Sequence, residues 1–255
     1  MRTFVKELTN PGVTLTAYLP AASDEMPNYK TRPAILVIPG GAYMMCSDRE
    51  AEPIALSFLA KGYAAFVLRY SVGKGAAKFP RPLNDAEEAM ELIIANAEEW
   101  GVEPEHIAAI GFSAGGHLAA SAATMLPEEV RPAFAVLIYP VITAEPGKCH
   151  KGSFDRLLGT DRTTGDEAQW SQQNRVTAST PPTLLLLADD DRTVPPVNST
   201  LFYEALKRNG VKGCSLRIYP SSGHGGGFNP DRIYRTAWRA DVLDWLGTLP
   251  NSASH

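Results

Sequence analysis

Short apolar runs without polar alternation recur along the chain, at 34–38 (Ala-Ile-Leu-Val-Ile), 64–68, 107–110, 135–139 and 183–187. Such runs predict strands buried on both faces. Further strands are expected at 13–19, closed by Pro20, and at 215–219. The segments between them carry helical spacing. Residues 50–61 read as a helix stopped by Gly62, since glycine accepts the left-handed turn that ends a helix. Pro82 opens the next helix and Asn84 or Asp85 is placed to cap it. Ala86, Ala89, Met90, Ile93, Ile94 and Ala97 then recur at helical spacing before Trp100-Gly101. Further helices are predicted after residue 113 to about Leu126, over 197–209, and near the end, where Tyr234, Trp238, Val242 and Trp245 fall on one side. Residues 21–33 and 71–80 read as loops, and the tail 250–255 is expected to fray. Alternation of this kind predicts an α/β fold: a mostly parallel central sheet with helices on both faces. Ligand sites in such sheets lie at the carboxyl ends of strands. The stretch 140–181 has no strong period and is too long for a plain connection, so it reads as a small cap or pocket wall. Neither a repeat nor a linker divides the chain, and 1–255 is read as one domain.

Composition narrows the function classes. The 255 residues are 44% hydrophobic and 20% charged, with net charge -4, enough for a large soluble core. The mild acidity and the lack of a Lys/Arg block argue against nucleic acid or an anionic membrane as partner. No apolar run reaches the roughly 18 residues of a membrane span, and 1–7 lack the apolar core of a signal peptide. Cys46, Cys149 and Cys214 are odd in number and widely spaced. A disulfide framework or a zinc site is therefore not expected, and a cytoplasmic location is the simplest reading.

One stretch carries chemistry. The run 107–110 leads into Gly111-Phe112-Ser113-Ala114-Gly115, and an alanine-rich helical pattern follows. Strand, sharp turn and helix is the context in which Gly-x-Ser-x-Gly forms a nucleophile elbow. A serine at the apex projects its hydroxyl above the sheet, and the glycines leave room where side chains would collide. The same turn aims the N–H of Ala114 at an oxygen on the carbon that Ser113 would attack.

A serine nucleophile needs a base, a carboxylate to hold the base, and donors for the oxyanion. Of the five histidines, His106 precedes a strand at the wrong end, His117 lies one helical turn beyond Ser113, and His255 is in the tail. His150 is in the long segment, within reach of a substrate. His224 sits in Gly223-His224-Gly225-Gly226-Gly227, directly after the last strand, where a glycine loop can bring it over the elbow. His224 is the predicted base. The acid should follow the preceding strand, where Asp189, Asp190 and Asp191 stand in a row. The order Ser, Asp, His is that of the α/β-hydrolase fold. A second oxyanion donor is expected from Pro39-Gly40-Gly41-Ala42-Tyr43, after the strand 34–38, with Gly41 and Ala42 the donors beside Ala114.

Taken together, the motifs resemble those of an α/β-hydrolase-fold carboxylesterase, close to the acetyl xylan esterase and carbohydrate acetyl esterase group. The residues carrying the likeness are Val37-Ile38-Pro39-Gly40-Gly41-Ala42-Tyr43, Arg49-Glu50-Ala51-Glu52-Pro53-Ile54-Ala55 and Val67-Leu68-Arg69-Tyr70-Ser71. To these are added Gly111 to Ala119, His150-Lys151-Gly152-Ser153-Phe154 and Gly223-His224-Gly225. Two departures stand out: Pro39 and Ala42 replace the ends of the lipase-type His-Gly-Gly-Gly, and the acid loop is Asp-Asp-Asp. The resemblance favours Asp191, which stands in Asp-x-x-Val-Pro, with Asp190 as the alternative. It implies attack by Ser113 on an ester carbonyl, His224 as base oriented by Asp191, and no metal or cofactor. It also implies a small-molecule substrate, a short acyl ester of a sugar. Tyr43, Met44 and Met45 would wall the acyl side, and Tyr70, His150 and Trp170 would meet the alcohol. Competing readings are an esterase for feruloyl or other aryl esters, a serine peptidase of the same fold, and a non-catalytic binding protein on that fold.

Overall fold

A computed structural model describes residues 1–25, 27, 30–227, 234 and 236–249. Its centre is an eight-stranded sheet, in the spatial order β1-β2-β4-β3-β5-β6-β7-β8. The strands are β1 (Arg2–Glu7), β2 (Thr14–Leu19), β3 (Arg32–Ile38), β4 (Ala64–Arg69), β5 (Val102–Phe112), β6 (Phe134–Ile138), β7 (Thr183–Ala188) and β8 (Ser215–Tyr219). From β4 to β8 every pairing is parallel, and β2 joins β4, and β1 joins β2, antiparallel. The expected central strands are all present. β1 was not among them: its Arg-Thr-Phe-Val-Lys-Glu sequence is polar on both sides, as suits a solvated edge strand.

The apolar runs lie where both faces of the sheet are covered. Leu36 and Ile38 of β3 point to one face, beneath α2 (Arg81–Ala95), α4 (Ala114–Met125) and α7 (Val197–Arg208). Ile35 and Val37 point to the other, where α1 (Glu52–Leu59) brings Ile54 and Phe58 and α8 (Ala237–Gly247) brings Trp238, Val242 and Trp245. Tyr234 precedes α8 and stacks on Tyr219, with centroids 5.1 Å apart. A short α3 (Ala97–Trp100) follows α2 and ends at the left-handed Gly101. The tail 250–255 lies outside the described residues.

Asp85 is a correction. The helix α2 begins at Arg81, so Asn84 and Asp85 are inside it and do not cap it. Asp85 is fully buried and accepts from the Ser71 N–H (2.7 Å) and from Asn10 Nδ2 (2.6 Å), tying the end of β4 to the β1–β2 turn.

The segment 140–181 has structure of its own: α5 (Lys151–Leu157), α6 (Thr164–Trp170) and a 3-10 turn at Gln172–Asn174. Phe154 packs with Val141, Ala144 and Val194 in a small separate core. Asn198, buried on α7, receives the N–H groups of Ile142 and Thr143 on its Oδ1 and donates to the carbonyls of Lys148 and Pro195. That residue pins the insertion to the body. Among the described residues no helix is long and apolar enough to cross a membrane.

Candidate active site

Strand order reverses at β3, which lies between β4 and β5. The carboxyl ends of β3 and β5 therefore open onto the crevice where sheets of this class hold ligands. The loop after β3 and the elbow after β5 meet there. Ser113 has φ 52 and ψ -116, a conformation that costs a residue with a Cβ about 1–3 kcal/mol. Its surroundings hold it in place. The Ser113 N–H donates to the Ile138 carbonyl (3.0 Å), and the Ser113 carbonyl accepts from Val141 (3.0 Å) and His117 (3.1 Å).

The glycines of the motif are explained by contact. A Cβ on Gly111 would lie 2.3 Å from the Gly115 carbonyl oxygen, and one on Gly115 would lie 2.2 Å from that of Ile38. Helix α4 thus starts with its backbone against the end of β3. A Cβ on Gly40 would fall 3.1 Å from the Cβ of Ser113, so the glycine loop runs directly beside the serine. Beyond it Gly41, Ala42 and Tyr43 all have positive φ (128, 56 and 58). The Gly40 N–H is taken by Glu50 at 2.9 Å. Among the described residues no acceptor takes the N–H groups of Gly41, Ala42 or Ala114.

Three loops converge on Ser113. His224 Nε2 is 2.9 Å from Ser113 Oγ, and His224 Nδ1 is 2.7 Å from Asp191 Oδ2. An ionised carboxylate only accepts, so Nδ1 carries the proton and Nε2 is free to accept from the serine hydroxyl. Asp191 is 4% exposed, and its other oxygen accepts the N–H groups of Thr193 (2.9 Å) and Val194 (3.0 Å). Asp190 does something else. Its Oδ1 accepts from the Ser222 and Gly223 N–H groups at 3.0 and 2.8 Å, bracing the loop that carries His224.

The substrate contacts expected at Tyr43 and Tyr70 are corrected by their burial, at 1% and 2% exposed. Each phenol is spent inward: the Tyr70 hydroxyl donates to the Pro39 carbonyl (2.8 Å), and the Tyr43 hydroxyl to His117 Nδ1 (2.8 Å). His117 Nε2 donates in turn to the Trp170 carbonyl (3.1 Å). Complete burial lowers the His117 pKa to about 4, so this ring is neutral at ordinary pH. Trp170 packs its ring on Phe79, with centroids 3.8 Å apart. Met44 and Met45 are 54% and 48% exposed beside the glycine loop. His150 precedes α5, with Nδ1 2.8 Å from Ser153 Oγ. Burial and the nearby His224 lower its pKa.

Glu50 was not singled out for any role. It is 4% exposed and receives the Tyr139 hydroxyl at 2.7 Å besides the Gly40 N–H. Only its place within Arg49-Glu50-Ala51-Glu52-Pro53 marked it in the sequence.

The chain is similar to known proteins over most of its length. The model of the prolyl oligopeptidase family matches residues 78–251, and a model described as BD-FAE matches 16–131. An acetylxylan esterase of Xylanibacter ruminicola is 37% identical over 88% of this chain and 47% of its own length. An endo-1,4-beta-xylanase B of Butyrivibrio fibrisolvens is 33% identical over 76% of this chain and 32% of its own. The chain therefore spans about half or less of these curated relatives. The crystal structure of an acetyl ester-xyloside bifunctional hydrolase from Caldicellulosiruptor lactoaceticus superposes with a TM-score of 0.84. It is 35% identical, over 94% of this chain and 89% of that one. The chain belongs to the prolyl oligopeptidase family and has the α/β-hydrolase fold.

Proposed function

We propose that the protein is a serine carboxylesterase for short acyl esters, acetyl groups on xylo-oligosaccharides or similar carbohydrates foremost. The observation that carries the reading is the unbroken series Asp191–His224–Ser113, with hydrogen bonds of 2.7 and 2.9 Å. His224 Nε2 takes the hydroxyl proton as Ser113 Oγ bonds to the ester carbonyl carbon, and Asp191 stabilises the imidazolium that results. The N–H groups of Ala114, Gly41 and Ala42 receive the oxyanion, each such donor being worth about 10²–10³ in kcat. Collapse of the intermediate expels the alcohol, which takes the proton from His224 and leaves an acyl-serine. Water, activated by the same imidazole, then releases the acid.

A small acyl group suits the exposed Met44 and Met45, whose flexible thioethers can close around it. The sugar would face the insertion 140–181, near His150. The activities of the xylan-associated relatives favour an acylated carbohydrate over a lipid ester.

The test is a panel of p-nitrophenyl acetate, butyrate and octanoate, acetylated xylo-oligosaccharides, methyl ferulate and a prolyl amide. Wild type is compared with Ser113→Ala on each. Short esters and acetylated oligosaccharides should be cleaved, the amide barely. The substitution should cost about 10⁴–10⁶ in kcat. Undiminished activity in Ser113→Ala would refute the reading. Preference for the prolyl amide or for ferulate would move the protein to the peptidase or aryl esterase alternative.

A further inference from the structure

Glu50 is a buried carboxylate with no basic side chain in salt-bridge contact among the described residues. Such a group costs free energy unless something offsets it. Its partners lie on the two loops that flank Ser113. Oε2 accepts the Gly40 N–H (2.9 Å), immediately before Gly41 and Ala42. Oε1 accepts the Tyr139 hydroxyl (2.7 Å), and that hydroxyl accepts the Gly227 N–H (2.8 Å) from the loop of His224. The phenol proton is committed toward Glu50, because the phenol oxygen already receives the Gly227 N–H. Both carboxyl oxygens thus face donors, the pattern that fits the ionised form.

Packing tightens the arrangement. A Cβ on Gly40 would lie 2.6 Å from Glu50 Oε2, and one on Gly227 would lie 2.8 Å from Glu50 Cγ. Tyr139 has φ 38, an unfavourable value for a tyrosine, and its N–H is held by the Leu186 carbonyl at 2.7 Å. Its ring stands edge-on to His224, with centroids 4.9 Å apart.

We propose that Glu50 is a positioning residue: through Tyr139 it fixes the loop of His224 against the oxyanion loop, and its charge favours the imidazolium that forms at His224. The proposal rests on the reading of Ser113, His224 and Asp191 as a triad. Burial holds the Glu50 pKa above the ordinary carboxyl value, and the hydrogen bonds from Tyr139 and Gly40 with the fields of His224 and Arg49 offset part of that rise. Attraction is reciprocal, so a negative Glu50 favours protonated His224 by the same interaction. The groups facing His224 are Asp191 and Ser113 by hydrogen bond, Tyr139 by ring contact, His150 from the start of α5, and Glu50 behind Tyr139. Those facing Glu50 are Tyr139, Arg49, His224 and the buried Tyr70. None but Glu50 changes in Glu50→Gln.

The experiment measures kcat, KM and the pH profile of kcat/KM with p-nitrophenyl acetate for wild type, Glu50→Gln, Glu50→Asp, Tyr139→Phe and Ser113→Ala. Active sites are counted by the burst with diethyl p-nitrophenyl phosphate, so that unfolded protein does not enter kcat. Glu50→Gln should lose about 10–100-fold in kcat with KM within about threefold. Its acid limb should move to lower pH, since the charge favouring imidazolium is gone. Glu50→Asp keeps the charge, and its limb should return toward that of wild type. Tyr139→Phe should lower kcat with a smaller displacement of the limb. A Glu50→Gln enzyme with wild-type kcat per titrated site and an unmoved limb overturns the proposal and leaves the triad standing. If Glu50→Gln yields no folded protein, an unchanged kcat in Tyr139→Phe overturns it equally. Activity surviving in Ser113→Ala would overturn the triad reading and this proposal with it.

Discussion

Asp190 and Asp191 are chain neighbours that serve the same loop in different ways. Asp191 holds the imidazole of His224 at Nδ1, while Asp190 holds the Ser222 and Gly223 N–H groups of the backbone that carries that imidazole. Asp191 is buried and Asp190 exposed. Asp191→Asn should therefore cost about 10⁴ in kcat, because an amide presents no charge to the imidazolium and can trap the wrong tautomer. Asp190→Asn keeps an acceptor oxygen at a solvated site and should cost tenfold or less. Steady-state kinetics on p-nitrophenyl acetate compares the two, and equal losses would contradict the division of roles.

Stability should fall in mild acid because of His117. Its folded pKa of about 4 lies below the ordinary 6.5, owing first to burial. The unfolded chain therefore binds the proton that the folded one excludes. The contribution of His117 is complete above pH 6.5, is lost as the pH falls toward 4, and amounts to about 3 kcal/mol over that window. Urea unfolding at pH 7.5, 5.5 and 4.5 measures the slope. His117→Gln should be less stable at neutral pH and show a shallower loss in acid.

Asn198 connects the insertion to α7 with three hydrogen bonds, to Ile142, Thr143 and Lys148, from a fully buried side chain. Asn198→Ala strands the N–H groups of Ile142 and Thr143 and should cost about 2–4 kcal/mol. Thermal unfolding gives the Tm loss. Limited proteolysis should cut first between 144 and 175, and cutting elsewhere at unchanged Tm would oppose the assignment.

Gly115→Ala should be among the most damaging small substitutions. Its methyl would press within 2.2–2.4 Å of the Ile38 and Pro39 carbonyl oxygens, backbone atoms with no freedom to retreat. A loss above about 3 kcal/mol, or failure to fold, is expected and is read by circular dichroism and melting.

The parts legible in the sequence were those whose signal is local. Runs such as 34–38 and 183–187 are apolar throughout because both of their faces are covered, and Gly-Phe-Ser-Ala-Gly is spelled by contacts within its own turn and with the neighbouring strand end. His224 could be chosen because a glycine loop after the last strand has a definite place. What depended on distant partners stayed hidden. Tyr43 and Tyr70 look like pocket aromatics, yet they turn inward because His117 and the Pro39 carbonyl, far along the chain, take their hydroxyls. Asp85 has the spacing of a cap, but its donors come from Ser71 and Asn10. Glu50 reads as one more charge in an acidic helix start, because Tyr139 lies 89 positions away. The edge strand β1 was hidden for another reason: a strand that buries little has no hydrophobic period to betray it.

The insertion leaves the sheet between β6 and β7, whereas Ser113, Asp191 and His224 stand at the ends of β5, β7 and β8. Its α5 and α6 add no strand to the ladder and fix no register. Descent could therefore lengthen, trim or rewrite this appendage while the hydroxyl, imidazole and carboxylate keep their spacing on an untouched frame.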